Sequence, residues 1–234
     1  MYAFWACKDI GNFGDMVTPY ILEKLGQTVE FSWMQGIALD GSILGVVKPN
    51  MHVYGAGFMN VTDKCESNNI KYVRGEISKA ILKAQGFDVT NIKIHIPAFC
   101  IAEFIQDKTP TKDKDYAFHY IDYSDLGIDV RQPVENVVNQ ILNSKNIITS
   151  SLHAYIVARM YGRGAALVRT KQPIAGDGMK YVDAFSCWGE RSYIPIDIQN
   201  DSGIENELKR TYGNPIKFDN KQFLKDLNDY ICQL

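Results

Sequence analysis

At 234 residues and 26.5 kDa, the chain is long for one ordinary domain and sufficient for two small ones. Hydrophobic residues make up 46% and charged residues 22%, which supports a packed core and argues against disorder. With 27 acidic and 25 basic residues the net charge is −2, so phosphate-backbone binding is excluded as the main driving force and only a local anion pocket is left open.

Met1 runs directly into Tyr-Ala-Phe-Trp without a basic n-region or a small-residue cleavage site, so no secretory leader is expected. No apolar run approaches the roughly 20 residues that cross a bilayer. The cysteines, Cys7, Cys65, Cys100, Cys187 and Cys232, are odd in number and widely spaced, with no C-x-x-C pair. That pattern fits a reducing compartment and disfavours a disulfide framework or a zinc site. The expectation is a cytoplasmic α/β protein.

Tyr2 to Ala6 reads as a strand, followed by a loop over Asp9 to Asp15. Thr18-Pro19 suits a helix start, with Ile21, Leu22 and Leu25 as its apolar face and Gly26 as its stop. Ser42 to Val47 and His52 to Tyr54 are the next strand candidates, the latter followed by Gly55-Ala-Gly57. Ile70 to Val73 is a strand running into Arg74-Gly75-Glu76, then a helix with Ile77, Ile81 and Leu82, then a strand at Ile92 to Ile96. Alternation of this kind favours parallel sheets flanked by helices.

Residues 107–115 read DKTPTKDKD and form the expected linker between an N-terminal domain, 1–106, and a C-terminal one, 116–234. Beyond it strands are expected at Tyr116 to Tyr120, Asn146 to Thr149, Ala165 to Val168 and Tyr193 to Ile198. Helices are expected at Val134 to Leu142, Leu152 to Tyr161 and Lys221 to Cys232, with a further start at Ser202-Gly-Ile-Glu205, which has capping-box spacing.

Ligands of open α/β sheets bind at the carboxyl ends of strands, which singles out four loops. The first holds Asn12, Gly14 and Asp15: glycine lets backbone approach a ligand and Asn12 can donate or accept, while the plainer reading is a helix cap and a left-handed turn. In the second, Arg74 can grip a carboxylate or phosphate, or can form a pair with Glu76 or across the domain interface. The third, Thr149-Ser-Ser-Leu-His153, ends a strand in hydroxyl residues and opens a helix. His153 then falls in a first turn, where the dipole attracts anions and holds the imidazole near neutrality. The fourth, Gly176 to Asp183, offers Lys180 as a point charge on a glycine loop. His52, His95 and His119 read as structural or surface residues. Trp33, Tyr181 and Trp188 could stack on a sugar face, but large aromatics more often serve cores and interfaces. No P-loop, complete G-x-G-x-x-G, H-E-x-x-H or G-x-S-x-G motif occurs, so NTPases, ordinary NAD enzymes, zincins and α/β-hydrolases lose support.

Taken in order, Trp5, Asn12-Phe-Gly-Asp15, Thr18-Pro-Tyr-Ile-Leu22, Gly41-Ser-Ile-Leu44, Tyr54-Gly-Ala-Gly-Phe58, Val73-Arg-Gly-Glu76 and Ser150-Ser-Leu-His153 resemble the polysaccharide pyruvyl transferase family. The resemblance spans about residues 1 to 185. It implies two small Rossmann-like domains with parallel sheets, arranged as in GT-B glycosyltransferases, with the active site in the interdomain cleft. It implies transfer of a pyruvyl group from phosphoenolpyruvate to two hydroxyls of a sugar, free or lipid-linked, to give a cyclic ketal. No metal, further cofactor or nucleic-acid partner is implied. By match, His153 is the catalytic residue. Arg74, Lys180, Ser151, Leu152 and Asn12 bind the donor, and Gly14, Asp15 and Gly57 shape the loops or meet the acceptor. A nucleotide-sugar glycosyltransferase and a non-catalytic carbohydrate-binding relative are the alternatives.

Overall fold

The computed structural model describes residues 1–122, 127–172, 175–190 and 194–234. Its first half contains β1 (Tyr2–Phe4), α1 (Phe13–Lys24), β2 (Glu30–Phe31), β3 (Gly36–Ala38), β4 (Met51–Tyr54), β5 (Asn69–Val73), α2 (Glu76–Ala84) and β6 (Lys93–Ile94). A 3-10 segment at Pro97–Glu103 leads out of it. The second half contains β7 (Lys112–Tyr116), α3 (Val134–Leu142), β8 (Ser144–Thr149), α4 (Leu152–Met160), β9 (Gly164–Arg169), α5 (Met179–Ser186), β10 (Ile196–Asp197), α6 (Asp201–Thr211) and α7 (Asn220–Ile231). All strand pairings are parallel. They form a six-stranded sheet of order β2-β1-β3-β4-β5-β6 and a four-stranded sheet of order β10-β9-β8-β7. This is a mixed α/β architecture of the Rossmann-like kind. The chain leaves β1 for β2 on one side and returns to β3 on the other, so the first sheet has its switch point between β1 and β3.

Side chains of a strand alternate between faces, and the cores follow that period. Ala3, Tyr54, Ile147, Ala165 and Leu167 join one large apolar cluster. Their neighbours turn the other way: Phe4 and Val53 into a second cluster under α2, and Ile148, Ala166 and Val168 into a third against α6. The large cluster takes residues from both halves, including Phe13, Val17 and Leu39 from the first and Val138, Tyr155 and Phe185 from the second. Each such fully buried side chain contributes roughly 1.5–3 kcal/mol, so apolar packing joins the two sheets.

Several elements differ from the sequence expectation for identifiable reasons. Helix α1 starts at Phe13, not at Thr18, because the Phe13 amide donates to the Val130 carbonyl at 2.8 Å and Phe13 and Val17 are fully buried. Pro19 therefore lies inside the helix. Ser42 to Val47 is loop, and the strand lies earlier, in β3. Strand β7 occupies Lys112–Tyr116, so the expected linker supplies most of it and Tyr116 to Tyr120 only its end. Charged residues are tolerated there because β7 is an edge strand. Asn200, not Ser202, caps α6, accepting from the Gly203 amide at 3.0 Å. The expected strand beginning at Tyr193 is β10, and Tyr193 itself lies outside the described residues. Among the described residues, no helix is long and apolar enough to cross a membrane.

Helix α7 returns to the first sheet. Tyr72 Oη donates to Asp226 Oδ2 at 2.6 Å, Tyr54 Oη donates to the Asp226 carbonyl at 2.8 Å, and Lys93 pairs with Asp226 at 2.6 Å. The buried His95 ring stacks on Phe223 with centroids 4.1 Å apart. Burial, against smaller pulls from Asn220 and Asp40, pushes the His95 pKa down to about 4. The folded state thus holds this imidazole neutral where the unfolded chain protonates it near 6.5. Its contribution is complete above about pH 6.5 and is lost as pH falls toward 4, amounting to about 3 kcal/mol across that window. Denaturant titrations at stepped pH are expected to show this loss in the wild-type chain and a shallower one in His95→Phe.

Candidate functional site

A cavity of about 130 Å³ is lined by residues following β1 (Ala6, Cys7, Asn12, Asp15) and β3 (Ser42, Ile43), the two strands of the switch point. Across it stand His119, Tyr120 and Ile121, the Ser150–His153 turn, and Lys180. A smaller cavity of about 20 Å³ continues past His119, Ser150 and Lys180 to Asp122, Thr170 and Tyr181. Carboxyl ends of strands from both sheets therefore supply the walls.

The turn between β8 and α4 is held by its own hydroxyls. Thr149 Oγ1 donates to the Ala117 carbonyl and accepts from the Ser151 amide at 2.9 Å. Ser151 caps α4, its Oγ accepting from the Ala154 amide at 3.4 Å. Ser150 Oγ accepts from the His119 amide at 2.9 Å and donates to Asp122 Oδ2 at 2.6 Å, while Thr170 Oγ1 donates to Asp122 Oδ1. The helix N-terminus is thus fixed with its free amides at the cavity.

His153 is 16% exposed, and its Nε2 lies 3.2 Å from Asp40 Oδ1. Asp40 is 1% exposed and immobilised by the Gly41 amide at 2.7 Å and the Ala98 amide at 2.8 Å. With Nε2 donating to Asp40, Nδ1 is left as the proton-exchanging nitrogen. Gly14 lets the ring pack closely on the first turn of α1, because a Cβ at residue 14 would fall 2.1 Å from that nitrogen. On the same turn Asn12 Nδ2 donates to Asp15 Oδ2 at 2.7 Å. Burial raises the Asp15 pKa, opposed by that hydrogen bond and by His153.

Lys180 stands in the first turn of helix α5, not on a flexible loop as the sequence suggests. Burial first, then the charge of Arg74, lowers its pKa to about 8, against the pull of Asp15 and Asp122. His119 is pushed down to about 4 by burial and then by Lys180.

Arg74 does not line the cavity. It is 2% exposed, and its Nε donates to Asp183 Oδ2 at 2.8 Å, its Nη2 to the Phe58 carbonyl at 2.6 Å and its Nη1 to Ser42 Oγ at 2.5 Å. Of the two sequence readings, the pair across the halves is the one formed. Gly57 makes room for it, since a Cβ there would meet Arg74 Cζ at 2.5 Å. Asp183 also accepts from the Ser78 amide and hydroxyl, both at 2.7 Å. Arg74 therefore secures α5 and, through it, Lys180.

The structure brings together Asn12, Gly14, Asp15, Ser151, Leu152, His153 and Lys180, while Arg74 and Gly57 stand behind the wall. Sequence reasoning missed Asp40, Asp122 and His119 as site residues. The Asp40-Gly41 pair directly after Ile37 to Leu39 was the available signal for a strand end, masked by the misplaced second strand. Of the three aromatics, Tyr181 is buried, Trp188 packs at the edge of the large core, and Trp33 is exposed against Phe4 and Phe31 outside the cavity lining.

No family model matches the chain. It is 26% identical over 224 residues to uncharacterized protein L143 of Acanthamoeba polyphaga mimivirus, a match covering 81% of this chain and 75% of that one. Among solved structures, the functionally uncharacterized protein KP1_0663 of Klebsiella pneumoniae superposes with a TM-score of 0.46 at 14% identity, over 79% of this chain and 86% of that one.

Gly14→Ala is expected to displace the His153 ring and cost about 1–3 kcal/mol by overpacking. Unfolding curves and the His153 ring resonances measure both effects. Arg74→Met leaves Asp183 buried without its cation, which costs about 3–5 kcal/mol. The double variant Arg74→Met/Asp183→Leu is expected to recover most of that loss in the same denaturation assay.

Proposed function

We propose that the chain is a phosphoenolpyruvate-dependent pyruvyl transferase that forms a cyclic ketal on a sugar, its active site lying in the cleft between two domains arranged as in GT-B enzymes. The observation that carries this reading is the convergence on one cavity of a His–Asp pair, a lysine and a helix N-terminus.

Phosphoenolpyruvate brings a phosphate and a carboxylate. Lys180 and the free amides of α4 supply the matching positive potential, without Arg74 as a direct ligand. Reaction begins with proton transfer from His153 to the enol methylene carbon, which leaves a cationic C2. One sugar oxygen adds to C2, and the C2–O bond to phosphate breaks with its electron pair leaving on phosphate. The second sugar oxygen then closes the ketal. Two hydroxyl protons are released: one restores His153 and the other reaches a second base or the departing phosphate. Asp40 keeps the imidazole oriented through both transfers.

Calorimetric titration tests the reading. Saturable phosphoenolpyruvate binding is expected, constant up to about pH 8 and falling about tenfold per pH unit above it, because the ammonium form of Lys180 holds the anion. Lys180→Met is expected to weaken binding and flatten that dependence. His153→Gln is expected to keep donor binding while transfer drops by about 10²–10⁴. Nucleotide-sugar binding without phosphoenolpyruvate binding would favour the glycosyltransferase alternative instead. Carbohydrate binding with neither donor would favour the non-catalytic one.

A further inference from the structure

The two walls of the cavity differ in kind. The wall from the second half offers donors and positive charge: Lys180 and the amide end of α4. The wall from the first half offers acceptors. Asp15 is 9% exposed and Asn12 is 6% exposed, and both border the cavity. Because one Asn12 Nδ2–H goes to Asp15 Oδ2, the amide orientation is fixed, with the second N–H and the acceptor Oδ1 left over. That oxygen is buried and has no partner among the described residues. Buried acceptors are ordinarily paired, and an unpaired one marks a place where a donor is missing. A carboxylate or a fully ionised phosphate ester cannot fill it, since neither donates and Asp15 repels both. A hydroxyl can.

We propose that Asn12 and Asp15 form the acceptor subsite for a pyranoside diol, one hydroxyl donating to Asn12 Oδ1 and the other to Asp15, which acts as the second base. This rests on the pyruvyl-transfer reading and supplies the base that it leaves unassigned. Asp15 adjoins Gly14, the residue against which the His153 imidazole lies, so the two proton-transfer groups stand close together at the cavity. When the Asp15-bound hydroxyl attacks C2, its O–H bond breaks, the electron pair stays on oxygen to form the C–O bond, and the proton passes to the Asp15 carboxylate. Phosphate, leaving with the C2–O electron pair, carries that proton away and restores Asp15. His153 serves the other hydroxyl. Burial favours this role, since a carboxylate with few donors in a dry wall is the stronger base.

The test uses saturation-transfer NMR on the full chain with saturating phosphate. The probes are methyl glucopyranoside, galactopyranoside and mannopyranoside, with the monodeoxy analogues of whichever binds. At least one parent probe is expected to bind, and two of its monodeoxy analogues are expected to lose tenfold or more in affinity. Asn12→Ala and Asp15→Asn are expected to lose as much for the parent probe while phosphate binding is retained, within twofold in Asn12→Ala and strengthened in Asp15→Asn by removal of the repelling anion, which also reports an intact fold. If either variant fails to fold, the deoxy series on the wild-type chain decides alone. Binding that is indifferent to both substitutions, binding that tolerates loss of any single hydroxyl, or absence of pyranoside binding would each overturn the proposal. Diol binding with this dependence in a chain that takes up neither phosphate nor phosphoenolpyruvate would sustain the subsite and defeat the donor reading.

Discussion

The buried pair between Arg74 and Asp183 is the constraint on which the site depends. A charge pair removed from water gains little net stability but tolerates no loss of a partner. Here further contacts hold it: the Phe58 carbonyl and Ser42 hydroxyl on the arginine, the Ser78 amide and hydroxyl on the aspartate. The pair links the carboxyl end of β5 to α5, which also carries Lys180 three positions earlier. Its effect is geometric and electrostatic together. It fixes the lysine at the cavity, where burial first and the arginine charge second lower the lysine pKa to about 8. An arginine that looks like a ligand in the sequence thus acts by holding the helix that carries Lys180.

The topology explains why these groups meet. In a parallel sheet all strands present their carboxyl ends on one edge, and loops there carry the chemistry. The switch point between β1 and β3 opens a gap at that edge, filled by the first turn of α1 and the Asp40 loop. In the second sheet the matching edge carries His119, Ser150 and the start of α4. Apolar packing continuous between the sheets brings the two edges together, with His153 packed against Gly14 where they meet.

What was legible in the sequence was local. Helices α3 and α4 and strands β4, β5, β8 and β9 follow directly from apolar periodicity and turn chemistry, and His153 was found because its strand–turn–helix setting is contiguous. What was not legible depended on distant partners. Helix α1 begins where an amide finds the Val130 carbonyl, more than a hundred residues away. Strand β7 is built from charged residues that only an edge position tolerates. Helix α5 looked like a flexible loop because Gly176 and Gly178 precede it, although Asp183 and Phe185 anchor it in the interior. Asp40 and Asp183 were missed because a buried aspartate is recognised by its donors, which lie elsewhere in the chain.

Those donors also sort the four aspartates around the cavity by role. Asp40 receives two backbone amides and the His153 ring. Asp122 receives two hydroxyls, and Asp183 receives a guanidinium, an amide and a hydroxyl. These three carboxylates are thereby spent on orienting an imidazole, a turn and a helix. Asp15 is the exception: Asn12 is its one hydrogen-bonded side-chain donor at standard distance, and burial raises its pKa. A reaction that must take a proton from a neutral hydroxyl needs such a carboxylate, and the fold leaves it beside the histidine, on the wall facing the lysine.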